Sequence, residues 1–197
     1  MSIIRAFIAI PMPPRIRQRV VSIRERFNHC GATISWVHEE NVHLTIRFLG
    51  NVPEEKIGPI QEGIRRAVAG TDPFRMEVEE IGVFPNIKYP RIIWMGVREP
   101  TQTLVTLENR ISSEMEALGF PREEKVFSPH ITLGRVRSLQ GKNLFIQALH
   151  SPIQTLEGEE MTVEEVVLFK SELKRSGATH TVLASIPLGG KAELFSA

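Results

Sequence analysis

The sequence predicts an α+β fold in which helices cover an antiparallel sheet. Apolar residues switch between a period of two, typical of strands, and a period near 3.6, typical of amphipathic helices, along the whole chain. The predicted strands also tend to come in pairs between the helices. A doubly wound parallel sheet would instead place a helix after each strand, so an antiparallel sheet is favoured.

The first strand and the first helix illustrate these two signals. Ile3–Ile10 is an isoleucine-rich run, and β-branched residues favour strands. After a proline-rich segment, apolar residues recur at spacings of four, three and four between Ile16 and Phe27. This pattern predicts an amphipathic helix that stops near Gly31.

The same signals define the remaining elements. Helical spacing and a glycine just past the last turn mark the longer helices, and Pro59 is expected to delay or kink the start of the second helix. Short apolar runs bounded by turn residues mark the strands. In chain order, the predicted elements are strands Thr33–Val37 and Val42–Leu49, helix Pro53–Ala69, strands Phe74–Phe84 and Arg91–Val97, helix Leu104–Leu118, strand His130–Val136, helix Leu144–Leu149, and strands Val163–Leu173 and Thr179–Pro187 around a turn at Ser176 and Gly177.

Length, charge and cysteine content limit the class of protein. The 197 residues are enough for a domain with its own core, and a formal net charge of +1 gives no general attraction to a polyanion. The single cysteine, Cys30, cannot form an intramolecular disulfide. The first apolar stretch contains Arg5 and runs into prolines, unlike a signal peptide, and no segment approaches the roughly 20 apolar residues of a membrane-spanning helix. We therefore expect a monomeric cytoplasmic protein without membrane contact.

An internal repeat carries the chemical information. The pattern histidine, apolar, threonine, apolar begins at His43 and again at His130, 87 residues later. Both copies lie on predicted strands, where residues two apart point to the same face. Each copy therefore presents an imidazole and a hydroxyl together, and two related lobes could bring both sets to one cleft.

Two imidazoles and two hydroxyls suit phosphodiester hydrolysis without a metal. One neutral histidine can take a proton from water, while the other, protonated, gives a proton to the departing oxygen. Threonine hydroxyls can donate hydrogen bonds to the non-bridging oxygens, where negative charge is stabilised. The residues alone do not distinguish the donor from the acceptor.

Other interpretations of the same residues remain open. A metal site is one of them, because histidine is a common ligand and Glu39 and Glu40 lie close to the first motif. Against it, the chain has no helical histidine pair and no paired cysteines at ligand spacing. Glycine-rich nucleotide-binding loops are also absent. The other four histidines are expected to be surface residues: His29, His38, His150 and His180.

The paired motifs resemble the signature of the 2H phosphoesterase superfamily. Within it, the chain looks like the RNA 2′,3′-cyclic phosphodiesterases, also called the 2′-5′ RNA ligase family. The resemblance extends over residues 1–197 as a single bilobal domain with an internal repeat, its motifs at 43–50 and 130–137. The matching segments are Arg5–Ile10, His43–Gly50, Phe84–Asn86, Pro90–Val97 and Phe127–Arg135.

The resemblance implies two pseudo-symmetric lobes, each an antiparallel sheet flanked by helices, with the active-site cleft between them. It implies hydrolysis of a 2′,3′-cyclic phosphate at an RNA 3′ end to a 2′-phosphate, with no metal and no cofactor. His43 would donate a proton to the departing 3′ oxygen, and His130 would accept a proton from water. Thr45 and Thr132 would hold the phosphate.

Arg135 would add positive charge to the same pocket. A strand residue five positions from His130 faces the opposite side, however, unless the strand ends or bends first. Tyr89, Phe7 and Trp94 are candidates to stack on the terminal base, although each also fits a place in the core.

The resemblance further implies partners and a secondary reaction. The partners are RNA with a 2′,3′-cyclic phosphate end, including tRNA halves, or small cyclic nucleotides. The secondary reaction is ATP-independent joining of tRNA halves by a 2′-5′ bond. The alternative function is a non-enzymatic module that binds RNA ends or phosphate.

Overall fold

The computed structural model describes residues 2–99, 101–150, 159–174 and 177–189. The described residues form four helices and a nine-stranded sheet in which all neighbouring strands are antiparallel. The predicted α+β class is therefore confirmed. In chain order the strands are β1 (Ile3–Pro11), β2 (Ala32–Trp36), β3 (His43–Pro53), β4 (Phe74–Phe84), β5 (Ile92–Glu99), β6 (His130–Leu139), β7 (Glu159–Val163), β8 (Glu165–Lys174) and β9 (Gly177–Pro187).

The helices follow the predicted positions closely. They are α1 (Pro14–Arg26), α2 (Ile57–Val68), α3 (Thr101–Ala117) and α4 (Lys142–His150). A short 3₁₀ helix, Glu54–Lys56, precedes α2. The regular helix thus begins later than Pro53, and Pro59 sits in its first turn, where a backbone N–H has no intrahelical partner to lose.

The strand order is β7-β4-β5-β6-β3-β1-β8-β9, and β2 pairs with β6 beside this path. The sheet has two halves that meet where β6 adjoins β3. One half contains β3, β1, β8 and β9, and the other contains β6, β5, β4 and β7. The first half therefore combines strands from early and late in the chain, whereas the second half consists of the consecutive strands β4 to β7.

The junction between the halves is narrow. β6 pairs with β3 at Ile131 and Leu44, and further along it pairs with β2 from Gly134 to Leu139. Because β6 changes partner after one pair, the two halves diverge beyond the junction. The motif strands are adjacent at the point where the sheet opens.

Helices pack on one face of both halves. Apolar residues of all four helices join the strand residues in one buried cluster, for example Ile16 of α1, Ile64 of α2 and Phe145 of α4. Lys56, which immediately precedes α2, donates a hydrogen bond from its ammonium group to the carbonyl of Leu118, just after the end of α3, at 2.8 Å. A cation at a helix C-terminus is stabilised by the helix dipole.

One strand was not anticipated. β7 pairs with β4, whereas the sequence pattern assigns Val163 to the start of the next strand. The β7 sequence, Glu-Glu-Met-Thr-Val, is too polar and too short to stand out as a strand. Of the predicted turn between the last two strands, Gly177 is described, with a positive φ of 129°, and Ser176 lies outside the described residues. No helix among the described residues is long and apolar enough to cross a membrane.

Candidate active site

Both histidine-threonine motifs lie on one face of the sheet, which we call the motif face. The apolar residues inside each motif, Leu44 and Ile131, form the pair that joins β3 to β6, and both are completely buried on the helix side. Side chains alternate along a strand, so their neighbours point the other way. Four partly buried side chains occupy the motif face at the junction: His43, Thr45, His130 and Thr132.

The antiparallel direction fixes how these four side chains are arranged. In an antiparallel pair, the residues next to Leu44 and Ile131 face each other in opposite order. His43 therefore lies towards Thr132, and Thr45 lies towards His130. Each imidazole therefore has a hydroxyl of its own motif along the strand and a hydroxyl of the other motif across it. The structure brings together the two predicted histidines and the two predicted threonines.

The two imidazoles are anchored in the same way. His43 Nδ1 lies 2.7 Å from the Asn41 carbonyl oxygen, and His130 Nδ1 lies 2.7 Å from the Ser128 carbonyl oxygen. A carbonyl oxygen can only accept, so Nδ1 carries the hydrogen in both rings. Proton exchange is thereby assigned to Nε2, and in His43 this atom lies 3.1 Å from Thr45 Oγ1.

The surroundings of the two rings differ. His43 packs against Phe7, with ring centroids 4.8 Å apart, and lies 5.2 Å from the His180 ring. His130 meets the edge of the Phe84 ring at 5.0 Å. Burial is the main cause that lowers the pKa of His43 to about 4; the hydrogen bond to the Asn41 carbonyl opposes this shift, and the charge of His180 contributes to it. In the free protein, His43 is therefore neutral at pH 7.

A β-bulge places Arg135 on the motif face. β5 residues Ile93 and Trp94 pair with Gly134 and Thr132, so Leu133 is an additional residue on β6. The extra residue shifts the alternation by one, and Arg135 is exposed on the same side as Thr132. A residue five positions after His130 can face the same side only if the strand bends, and the bulge provides this bend.

The first motif has a matching bulge, and this exposes a residue that the sequence analysis missed. β1 residues Ile8 and Ala9 pair with Arg47 and Thr45, so Ile46 is the additional residue on β3. Phe48 then lies on the motif face with 58% of its surface exposed. Phe48 follows His43 by five residues, as Arg135 follows His130, so alignment of the two motifs could have identified it.

The three candidates for base stacking have different positions. Phe7 is buried at 3% exposure under the His43 ring, and the Trp94 indole lies over Gly82, where an added Cβ would come within 2.2 Å of the ring. Tyr89 is exposed in the loop between β4 and β5. Phe7 is therefore unavailable for stacking, whereas Tyr89 and Phe48 are exposed aromatic rings.

Three of the other four histidines are exposed, as predicted: His29, His38 and His150. The prediction was wrong for His180, which is partly buried beside His43. His180 reaches this place because the β8–β9 hairpin folds against β1, with Phe7 opposite Phe169. Strand neighbours that distant in sequence leave no local pattern.

Among the described residues, no group of three or more histidine, cysteine, aspartate or glutamate side chains is placed to hold a metal ion. Cys30 is buried. Within the described part of the chain, the motif face offers a ligand the imidazoles, the hydroxyls and the Arg135 guanidinium.

Known proteins resemble this chain over most of its length. The model of the LigT-like phosphoesterase family matches residues 10–94 and 96–180, one segment around each motif. An RNA 2′,3′-cyclic phosphodiesterase of Methanothermobacter thermautotrophicus is 33% identical over 178 residues, covering 90% of this chain and 95% of that protein. One of Thermotoga maritima is 36% identical, covering 91% of this chain and 92% of that protein.

Solved structures show the same fold. A crystal structure of a Thermus thermophilus protein superposes with a TM-score of 0.76 at 27% identity, covering 94% of this chain and 98% of that one. Escherichia coli LigT complexed with 3′-AMP gives a TM-score of 0.73 at 26% identity, covering 96% and 100%. The chain belongs to the LigT-like phosphoesterase family.

Proposed function

We propose that this protein hydrolyses the 2′,3′-cyclic phosphate at the 3′ end of RNA to a 2′-phosphomonoester, without a metal ion or a cofactor. The observation that carries the proposal is the pair of imidazoles on neighbouring strands, each anchored through Nδ1 to a backbone carbonyl. This arrangement leaves two Nε2 atoms for proton transfer on one face. Relatives of 33% and 36% identity that are named RNA 2′,3′-cyclic phosphodiesterases support the same substrate.

In the proposed reaction, His130 accepts a proton from water as the water oxygen attacks phosphorus. The bond from phosphorus to the 3′ oxygen breaks, and His43 gives its Nε2 proton to that oxygen. The products are a 2′-phosphate and a 3′-hydroxyl, and the two histidines exchange protons with solvent before the next turnover. The Nδ1 anchors keep both rings oriented throughout.

The phosphate itself supplies the charge that the proton donor requires. His43 is neutral in the free protein because burial lowers its pKa to about 4. A phosphodiester anion beside the ring favours the protonated form, since an opposite charge within about 4–6 Å raises the pKa of a histidine. Substrate binding and loading of the donor are therefore coupled.

Thr45, Thr132 and Arg135 are proposed to hold the phosphate. The hydroxyls alternate with the imidazoles across the Leu44–Ile131 pair, so they can donate to the non-bridging oxygens where charge accumulates. Arg135 adds a fixed positive charge on the same face. A guanidinium suits this role because its planar set of N–H donors matches phosphate oxygens.

The proposed substrate contact is short. Tight binding of a long RNA depends on many contacts between basic side chains and phosphates. A net charge of +1 does not favour such an extended interface. A single terminal nucleotide, of an RNA such as a tRNA half or of a small cyclic nucleotide, can be held by the phosphate ligands and by an exposed ring. Phe48 is suited to stack on its base.

Joining of RNA ends is proposed only as a secondary reaction. A 5′-hydroxyl could replace water as the attacking group, which would form a 2′-5′ phosphodiester while the same 3′ oxygen leaves. Water is always present in large excess, so hydrolysis is favoured.

We also propose that residues 1–197 act as one bilobal domain with an internal repeat, which the two segments matched by the family model support.

Removal of either imidazole is expected to reduce kcat by about 100- to 10,000-fold, because each ring performs a proton transfer. The variants are His43→Ala and His130→Ala, assayed with an oligonucleotide ending in a 2′,3′-cyclic phosphate and excess chelator. His29→Ala, at an exposed position, is the matched control and should retain full activity. Wild-type protein that binds a 2′-phosphorylated oligonucleotide tightly but never converts the cyclic substrate would instead identify a binding module.

NMR titration of the imidazole signals should give His43 a pKa near 4 in the free protein, because burial disfavours the charged ring. Saturating inorganic phosphate should raise this pKa, since the bound anion stabilises the protonated ring. His43 should therefore become protonated at a higher pH in the phosphate complex than in the free protein. The same His43 titration with and without phosphate would contradict the coupling of anion binding to protonation.

Replacement of Phe48 by alanine is expected to raise KM for the oligonucleotide by roughly 5- to 150-fold with little change in kcat, because stacking on one base contributes about 1–3 kcal/mol to binding. Steady-state kinetics measure both constants. Leu144→Ala, an exposed apolar position on α4, is the control. A loss of kcat at unchanged KM would show that Phe48 supports the histidines and does not contact the base.

A further inference from the structure

A third imidazole lies beside the first motif. The His180 ring is 5.2 Å from the His43 ring and 4.8 Å from the Phe7 ring, and it meets both at 69°. His180 stands opposite Ser171 in the β8–β9 pair, on the motif face. The catalytic residues proposed above do not include it.

Asn41 ties the two imidazoles together. Its backbone carbonyl accepts the hydrogen of His43 Nδ1, while its side-chain amide donates to the Ala178 carbonyl at 2.6 Å, two residues before His180. Asn41 is also one of the few buried polar residues among those described. One residue thus fixes the first histidine and the strand that carries the third, which is a specific connection rather than loose surface packing.

The groups around the two rings are mainly apolar. β1 contributes Phe7 and β8 contributes Phe169, whose ring centroid lies 6.3 Å from that of His43. The charged residues of this part of β8, Lys170 and Glu172, pair with each other at 2.9 Å and alternate with Ser171, so they point to the other side of the strand. Among the described residues, the His38 ring also approaches the start of β9, where it lies near Gly177.

Two imidazoles at this separation disfavour each other's protonation. Like charges within about 4–6 Å raise the cost of the charged forms, and apolar surroundings weaken the screening of that repulsion. Burial lowers the pKa of His180, as it does that of His43. His130 has no such neighbour among the ring contacts of the described residues, where its partner is Phe84.

We propose that His180 is a positioning residue for the proposed reaction: it holds the His43 ring edge-on and adds to the burial that keeps this ring uncharged until an anionic phosphate reaches the motif face. His43 is then charged in the substrate complex and neutral in the empty protein. The inference rests on the proposed function, in which His43 donates a proton to the departing oxygen. The role falls to a residue of β9, a strand that contains neither motif.

The test compares His180→Phe, which keeps a ring but removes its charge, with His180→Gln, which removes the ring and the charge. The pKa of His43 is measured by NMR titration in each variant, with and without saturating inorganic phosphate. Both variants should raise the pKa of His43 in the free protein, because no protonated ring at position 180 then opposes protonation of His43 in the acidic range where His43 titrates. His150→Gln, exposed at the end of α4, is the control and should leave it unchanged.

The pH profile of kcat/KM for a cyclic-phosphate oligonucleotide provides a second measurement. The limb that reports His43 should move to higher pH in His180→Phe, as the titration does. An unchanged His43 titration in both variants would overturn the proposal, and so would weaker phosphate binding in His180→Phe without a change in that titration, which would make His180 a phosphate ligand. A wild-type protein without turnover refutes the proposed function separately, because the titration requires no activity.

Discussion

The backbone pair between Leu44 and Ile131 holds the two halves of the sheet together, and the geometry of the site depends on it. Both side chains are buried on the helix side, so their neighbours must face the open side. A one-residue slip of β6 against β3 would turn one motif into the core and leave the other exposed. The large apolar cluster under the pair makes such a slip costly, because it would bury imidazole and hydroxyl groups without partners.

The two motifs share their local structure but not their surroundings. Both use a carbonyl two residues before the histidine as an anchor, and both contain a bulge after the threonine. Five residues after the histidine, one strand presents Phe48 and the other presents Arg135. The groups that pack against the two rings also differ: Phe7, Phe169 and His180 lie against His43, whereas Phe84 lies against His130.

Most of the fold and the centre of the site could be predicted from local patterns. The alternation in His43–Leu49 and His130–Val136 determines which residues share a face, and helical spacing located all four helices. Features that depend on contacts between distant segments could not be predicted. Arg135 reaches the motif face because β5 imposes a bulge on β6, and His180 does so because the β8–β9 hairpin pairs with β1. Neither of these strand pairings produces a periodic pattern in the sequence.

The regiochemistry of hydrolysis tests the central claim most directly. An oligonucleotide ending in a 2′,3′-cyclic phosphate is incubated with wild-type protein and excess chelator, and the terminal phosphate of the product is located by ³¹P NMR. Complete conversion to a 2′-phosphate with a free 3′-hydroxyl is expected. A 3′-phosphate product, or turnover that requires a divalent ion, would contradict it.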